Sequence, residues 1–578
     1  MAYKPNVALT VKLQPWRAWL VLGALIALFL MLIGRAVYLQ GYKEEFLKEQ
    51  GQARFSRKLV LEANRGMIVD RNGTPLAIST PVQSIWASPS DMEDLTPLQF
   101  NELASKLGVD VSELRHKLGD KNRDFVYLRR QMSPEAAQRV LGLGIPGISH
   151  QTEYRRYYPA GEVIAHIIGF TDIDNKGQEG FELTREGMLA GKAGSRTVIK
   201  DRRGFIVEDI GSIEKPRDGQ TLTLSIDSNI QYLAFSELKK AVEENKAKGG
   251  GIVVMDTRTG EVLALANMPS FNPNNREHMD PASQRNRALT DTYEPGSTMK
   301  PFTVSMAMEE GKVTPETIIP TGNGIMTMGP ATIHDTHAHG NITVEQVIQK
   351  SSNVGAAKIQ LMMDREDIWH FYDGLGFGQL PHSGFPGETT GRLRAWKSWV
   401  PIDQAAMSHG NGISVSLIQI ARAYEIFASD GVMRPISFQR LVAPLPGKQV
   451  IKPETAQAVR KMLEMVTQPG GTATKAQVVG YRVGGKTGTA YKPEAGGYNL
   501  SKYVGSFVGI APISDPRIVV AVMIDEPSAG KHLGGDVAGP VFSAVVAGSL
   551  RMMGIPPDAP QNVPQPQAPG ASTESEEM

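Results

Sequence analysis

The 578-residue chain contains no cysteine. That excludes disulfides, thiolate metal centres and lipid attachment through sulfur, and leaves the redox compartment open. It also lacks any imbalance of charge: 61 Lys and Arg against 60 Asp and Glu leave a net charge of +1, which gives no pull towards nucleic acid or another polyanion. No H-E-x-x-H spacing occurs, and no metal, nucleotide or phosphate motif appears before Pro216. The cluster His334-Asp335-Thr336-His337-Ala338-His339 has no flanking group of carboxylates, so we expect a loop or strand with solvated or packing imidazoles rather than a metal site.

Apolar residues make up 41% of the chain and charged residues 21%, the composition of soluble globular domains, and the length calls for more than one. Met1 to Arg17 carries Lys4, Lys12 and Arg17 and no acid, and Ala18 to Gly34 is uncharged and rich in Leu, Ala, Ile and Val. With the Val37-Tyr38-Leu39 continuation this run is long enough to span a bilayer. The exit Leu32-Ile33-Gly34-Arg35-Ala36-Val37 is a poor cleavage site for a signal peptide. The expectation is an uncleaved anchor over 18–39 behind a cytoplasmic tail over 1–17, oriented by the positive-inside bias.

From 44 to 216 the pattern is mixed α and β. Gly66 to Ala77 reads as strand, turn and strand around Asn72-Gly73, and helices are expected near Thr96–Leu118 and Ser133–Leu143. Arg155–Gly161 and Gly177–Glu182 are charged and punctuated by glycine, and are expected to make scaffolding salt bridges between segments. A linker at Pro216–Gly219 leads to a second domain over 220–554. There Asp227 or Ser228 caps a helix, Gly251–Asp256 and Glu261–Ala266 form a hairpin, and Phe507–Pro512 with Arg517–Ile524 form another. Helices are expected between them, for example over Thr343–Met363 and Ile413–Ala428, with Ile359, Met362 and Met363 as a core stripe. Strands at both ends with helices between predict an α+β layer fold. The Pro/Gln/Ala/Ser-rich end, 555–578, is expected to be disordered.

The chemistry concentrates at Glu294-Pro295-Gly296-Ser297-Thr298-Met299-Lys300-Pro301, where a loop is expected to turn into a helix. Ser297 and Lys300 then lie about one turn apart on one face, a hydroxyl beside an amine, as nucleophilic catalysis needs when no histidine takes the proton. The spacing alone is common, recurring at Ser212/Lys215, Ser236/Lys239 and Ser528/Lys531. It is the order that carries information: Ser351-Ser352-Asn353 follows, then Lys486-Thr487-Gly488-Thr489, and Lys-Thr-Gly occurs once. This ordered trio is the signature set of penicillin-binding proteins and class A β-lactamases. Lys300 can act as a base only if burial and a second cation, for which Lys486 is available, favour its neutral form. Ser351 and Asn353 are placed to hold it, Thr487 and Thr489 to bind a substrate carboxylate, and Gly488 to admit a substrate backbone. The N–H groups of Ser297 and Thr489 are the expected oxyanion donors.

With these motifs in place the chain resembles the class B penicillin-binding proteins, in particular the septal D,D-transpeptidases of Gram-negative bacteria, from the anchor to about Gly554. Arg65-Gly66, Asp70–Gly73, Arg155–Gly161 and Gly177–Glu182 are similar to that family's non-catalytic motifs, and Ser408-His409-Gly410-Asn411-Gly412 to a turn in its transpeptidase domain. The resemblance implies that 44–216 is a non-catalytic pedestal and 220–554 a β-lactamase-like transpeptidase domain. It implies Ser297 as the acylated nucleophile, with Lys300, Ser351, Asn353, Lys486, Thr487, Gly488 and Thr489 completing the cleft. The implied donor is a peptidoglycan stem peptide ending in D-Ala-D-Ala, the acceptor an amine on a neighbouring stem, and β-lactams are mimics of the donor. It also implies no metal or cofactor, an inner-membrane location with the catalytic domain in the periplasm, and SEDS-type glycosyltransferase and divisome partners.

Two rivals follow from the same motifs. A D,D-carboxypeptidase or β-lactamase would pass the acyl group to water, but class A β-lactamases resemble this order with Ser-Asp-Asn and a later Glu-x-x-Leu-Asn. Here Glu388 is followed by Thr389-Thr390-Gly391-Arg392. A membrane β-lactam sensor would need signalling machinery beyond the short cytoplasmic tail.

Overall fold

The computed structural model describes residues 14–43, 56–200, 206–209, 214–276, 279–494 and 497–559. The expected tails up to residue 13 and from 560, and Ser212 of one recurrent Ser/Lys pair, lie outside the described residues. Helix α1, Pro15–Val37, is exposed along its whole length, and its apolar stretch to Gly41 is long enough to cross a membrane.

Contacts divide the chain into two units. The smaller comprises Met1–Ala63, Pro81–Glu153 and Lys192–Arg217; the larger comprises Asn64–Thr80, Tyr154–Gly191 and Asp218–Met578. Two pieces of the stretch 44–216 thus pack with the second half of the chain. In the smaller unit Ser56–Leu61, Gly194–Lys200 and Ile206–Asp209 form an antiparallel sheet. Beside them in sequence, helices Pro97–Leu107, Val111–Leu118 and Pro134–Leu141 are capped by Thr96, Asp110 and Ser133. These helices bury Leu103, Leu107, Leu114 and Val140 in one core with Ile85 and Leu128. The helices expected there form because Ser, Thr and Asp side chains satisfy the orphan N–H groups of each first turn.

In the larger unit the turn expected at Asn72-Gly73 is closed by Asp70, whose carboxylate accepts from the Asn72 and Thr74 amides and from Ser228; Gly73 supplies the positive φ of +89°. The charged glycine-punctuated segments do form inter-segment ion pairs. Glu182, fully buried, accepts from Arg65 Nε and Arg156 Nε, each at 2.6 Å, and Glu186 reaches Arg65 at 2.8 Å. A carboxylate out of water holds its charge only when paired this fully.

The main sheet has five antiparallel strands, β1 Gly249–Asp256, β2 Val262–Met268, β3 Gly484–Glu494, β4 Gly497–Ala511 and β5 Ile518–Asp525, in the order β2-β1-β5-β4-β3. Strands from the beginning and the end of the expected second domain therefore meet in one sheet, with β3 on an edge. Strands β1 and β5 are buried throughout, because both faces are covered. On one side lie helices α2, Ser228–Glu244, capped by Asp227, and α7, Gly539–Met552. On the other lies α5, Leu417–Ala428. Successive glycines show the alternation: a Cβ at Gly250 would meet Leu238 and Val242 of α2, and one at Gly251 would meet Leu417 of α5. The remaining helices that position the site are α3, Lys300–Glu309, α4, Asn353–Gln360, and α6, Pro453–Thr467.

Two expected helices are shorter than the pattern suggests. The stretch Thr343–Met363 is broken into Val344–Gln349 and α4 by Ser351, at φ +59°. Ile413–Val415 is extended and bridges Arg392 and Tyr293 before α5 begins. The core stripe is likewise incomplete: Ile359 and Met363 are buried, but Met362 is 44% exposed, because α4 ends at Gln360 and helical spacing stops there.

Candidate active site

Ser297 sits in a tight 3₁₀ turn, Gly296–Met299, that runs straight into α3. Pro301 in the first turn of α3 costs no hydrogen bond, and Thr298 Oγ1 fastens the turn by donating to Pro295 O at 2.8 Å. Ser297 is half-buried while Lys300, at the first position of α3, is wholly buried. Its Nζ donates to Ser351 O and, at 3.0 Å, to Ser351 Oγ.

The left-handed backbone of Ser351 is what aims both its oxygens at Lys300. The next residue, Ser352, caps α4 through the Gly355 amide at 2.9 Å. Asp335 then locks the corner, accepting from Ser352 Oγ at 2.6 Å and from the Val354 amide at 2.9 Å. Asn353 Nδ2 donates to His334 O at 2.9 Å. The histidine cluster is therefore a strand end and loop supporting the middle motif: His334 closes the strand Ala331–His334, and His337 and His339 lie edge to face at 6.5 Å. Among the described residues no three His, Asp or Glu side chains converge as a ligand set.

Edge strand β3 brings the third motif against the serine turn. A Cβ at Gly488 would lie 2.6 Å from Pro295 O and 3.0 Å from Thr298 Cγ2, and one at Gly296 would lie 3.4 Å from Thr489 N. Only glycine permits this approach of strand to turn. Lys486 is fully buried and donates to Thr487 Oγ1 at 3.1 Å. Thr487 Oγ1 also lies 3.1 Å from Thr472 Oγ1, and Thr489 Oγ1 accepts from the Gly534 amide at 3.1 Å.

A third wall comes from the turn 408–412. A Cβ at Gly410, φ +85°, would fall 2.4 Å from Gly296 N. His409 of this turn is held neutral: burial first, and the charge of Lys300 second, push its imidazole down to about 3. Gly412 N donates to Glu294 at 2.9 Å.

All the residues singled out in sequence order are thus carried by segments that close on one turn. The recurrent Ser/Lys pairs go elsewhere: Lys239 pairs with Glu162 at 3.1 Å, and Ser528 donates to Lys246 O. Glu388 is bound to its own loop, accepting from Ser383 N at 2.8 Å and from Ser383 Oγ. Sequence reasoning missed Asp335, Glu294, Thr472, His409 and Gly534 as parts of the site. For His409 and Glu294 a signal was present, since both lie inside segments already singled out; Thr472 and Gly534 are brought in by packing alone.

Two family models match the chain: a penicillin binding protein transpeptidase domain over residues 250–547 and a penicillin-binding protein dimerisation domain over 60–224. The chain is 45% identical over 543 residues to the probable peptidoglycan D,D-transpeptidase PenA of Neisseria gonorrhoeae, covering 93% of each chain. It is 39% identical over 549 residues to the peptidoglycan D,D-transpeptidase FtsI of Escherichia coli K12, covering 94% of this chain and 93% of that one. Among solved structures it matches the apo transpeptidase domain of Burkholderia pseudomallei penicillin-binding protein 3 with a TM-score of 0.55 at 52% identity, over 58% of this chain and 98% of that one.

Proposed function

Because the chain belongs to the penicillin-binding protein transpeptidase family, we propose that it is a serine D,D-transpeptidase that cross-links peptidoglycan stem peptides during septum formation. The observation that carries this reading is the buried Lys300, bonded to Ser351 Oγ at 3.0 Å and one turn from the half-buried Ser297. In this reading Ser297 Oγ attacks the penultimate D-Ala carbonyl of a D-Ala-D-Ala donor. Lys300 takes its proton, with Ser351 as the relay to the leaving amine and Asn353 lining the same wall. The Ser297 and Thr489 amides receive the oxyanion. Lys486, Thr487 and Thr489 attract and bind the donor carboxylate, and Gly488 lets its backbone lie along β3.

Slow loss of the acyl group to water suits a transpeptidase, and Glu388 is tied to Ser383 rather than to a water-positioning motif. Helix α1 supports a single-pass anchor in the inner membrane, with its N-terminus in the cytoplasm and the site in the periplasm. The domain limits that go with this reading are a pedestal over 44–216, the partner for a SEDS-type glycosyltransferase and other divisome proteins, and a transpeptidase domain over 220–554.

The test is labelling of membranes with a fluorescent penicillin, wild type against Ser297→Ala, following loss of label over hours. A persistent label that vanishes in the variant supports the reading. Label that clears within minutes points to a hydrolase, and label that survives Ser297→Ala overturns the site.

A further inference from the structure

The segments around Ser297 hold two buried lysines, Lys300 and Lys486, yet the proposed reaction must also admit an amine. Among the described residues several carboxylates lie on or near these segments, Asp536 among them, paired with Lys475. Asp335 is engaged by Ser352 Oγ and the Val354 amide, and Asp403 pairs with Arg394 at 2.7 Å. Glu294 stands three residues before the nucleophile.

Glu294 is held by both walls that close on the serine turn. Its Oε1 accepts from the Gly412 amide at 2.9 Å, and Gly412 belongs to the turn whose Gly410 rests on Gly296. Tyr498 donates its hydroxyl to the carboxylate, 2.9 Å from each oxygen. Tyr498 opens β4 and pairs with Pro493 on β3, the strand that carries Lys486 to Thr489. Among the described residues this carboxylate is hydrogen-bonded by an amide and a phenol, both neutral, so a cation can still be bound there. Partial burial, opposed by the two hydrogen bonds, raises its pKa from the ordinary glutamate value.

A primary amine is almost entirely ammonium at neutral pH, its pKa being about 10. It must therefore be drawn past two lysines and then lose a proton before it can attack. We propose that Glu294 receives the acceptor: its carboxylate binds the ammonium group of the second stem peptide and takes the proton that frees the nitrogen lone pair. This rests on the transpeptidase reading of Ser297. The lone pair forms the new C–N bond at the acyl carbon, and the ester C–Oγ bond breaks with its electrons returning to Ser297 Oγ. The second amine proton passes through Lys300 to Ser297 Oγ, and the proton on Glu294 leaves to solvent. One amide and one free serine result.

The experiment follows one acyl-enzyme to its two fates, which makes the readout independent of how fast it forms or how much protein is folded. The full chain in detergent micelles is loaded with an acyl-D-Ala thioester donor and offered a D-amino acid as primary amine, and amide and hydrolysed products are separated. Glu294→Gln should lower the ratio of amide to hydrolysis by about a hundredfold, the size of a lost general base, and Glu294→Asp should recover part of it. With hydroxylamine, which is already unprotonated at neutral pH, Glu294→Gln should leave the ratio near that of wild type. An unchanged ratio for the primary amine, or equal losses for both nucleophiles, overturns the proposal while leaving the nucleophile assignment standing. A wild-type chain that forms no acyl-enzyme, or a Ser297→Ala chain that still forms one, overturns the underlying reading and the proposal with it.

Discussion

Lys300 and Ser351 meet through a strained backbone: Ser351 stands at φ +59°, and from there offers both its carbonyl and its hydroxyl to the buried Lys300 Nζ, the hydroxyl at 3.0 Å. A side chain other than Gly, Asn or Asp in the left-handed region costs roughly 1 kcal/mol or more. The serine is therefore better explained by what its hydroxyl does than by the turn it occupies.

Ser351→Gly separates the two effects. The turn is relieved, so thermal unfolding should be unchanged or shifted slightly upwards, within about 1 kcal/mol. Acylation by a penicillin should slow by about a hundredfold or more, the usual size of a lost proton-transfer group. Stopped-flow acylation together with a melting curve reads both, and a parallel loss of stability and rate would assign Ser351 a purely structural role.

Gly488→Ala places a methyl group 2.5 Å from Ser506 Oγ and 2.6 Å from Pro295 O. The serine hydroxyl can rotate away, but the Pro295 carbonyl is backbone, so β3 must move off the serine turn. We expect a cost of about 1–3 kcal/mol in denaturant unfolding and loss of penicillin labelling at protein levels where wild type labels fully. Normal labelling by a stable Gly488→Ala chain would show that strand and turn can separate without harm.

Glu182 pairs with both Arg65 and Arg156 in the larger unit. Glu182→Gln leaves two buried guanidinium groups with Glu186, against Arg65, as the remaining acid. The expected destabilisation, about 3–5 kcal/mol for breaking one side of a buried pair, should appear as a lower urea midpoint. Replacing Arg65, Arg156 and Glu182 together with apolar residues should cost less than Glu182→Gln alone, because the one charge then left unpaired, Glu186, is 36% exposed and stays hydrated.

Glu425 on α5 is buried beside Arg434, whose amide donates to Oε2 at 3.0 Å and whose guanidinium lies 3.6 Å from Oε1. Burial outweighs these contacts and pushes its carboxyl up to about 8. The folded state then holds the proton more tightly than the unfolded chain. This contribution to stability is complete below the ordinary glutamate pKa, falls as pH rises, and is gone above about 8. His166 acts in the opposite direction: burial lowers it to about 4, so its contribution is complete above the ordinary histidine pKa and is lost as pH falls towards 4. Urea midpoints between pH 5 and pH 9 (about the span these shifts cover) should fall on the alkaline side for wild type. The fall should be shallower in Glu425→Gln. Identical slopes in the two chains would mean that Glu425 titrates as an ordinary carboxyl.

The sheet hairpins, the capped helices of the smaller unit and the apolar helix α1 were legible because each rests on neighbours in sequence. Period-two alternation, a cap three residues ahead of its amide, and an unbroken apolar run are all local signals. The two helices that ran too long in the sequence reading failed for one reason. Ser351, and the extended Ile413–Val415, interrupt an apolar pattern that periodicity alone cannot tell from a continuous helix. Met362 was misplaced for the same reason, since its spacing assumed a turn that the chain does not make.

By itself the sequence singled out the candidate residues, because Ser-x-x-Lys, Ser-x-Asn and Lys-Thr-Gly in that order make a pattern no single pair supplies. The tertiary structure decided which atoms face which. Close backbone approaches at Gly296, Gly410 and Gly488, and the left-handed Ser351, depend on contacts between segments far apart in the chain. The same holds for Asp335 under Ser352, His409 near Lys300 and Glu294 between Gly412 and Tyr498. Residue type and spacing fix a group's chemistry, whereas its burial, partners and proton affinity are set only when the distant segments pack around it.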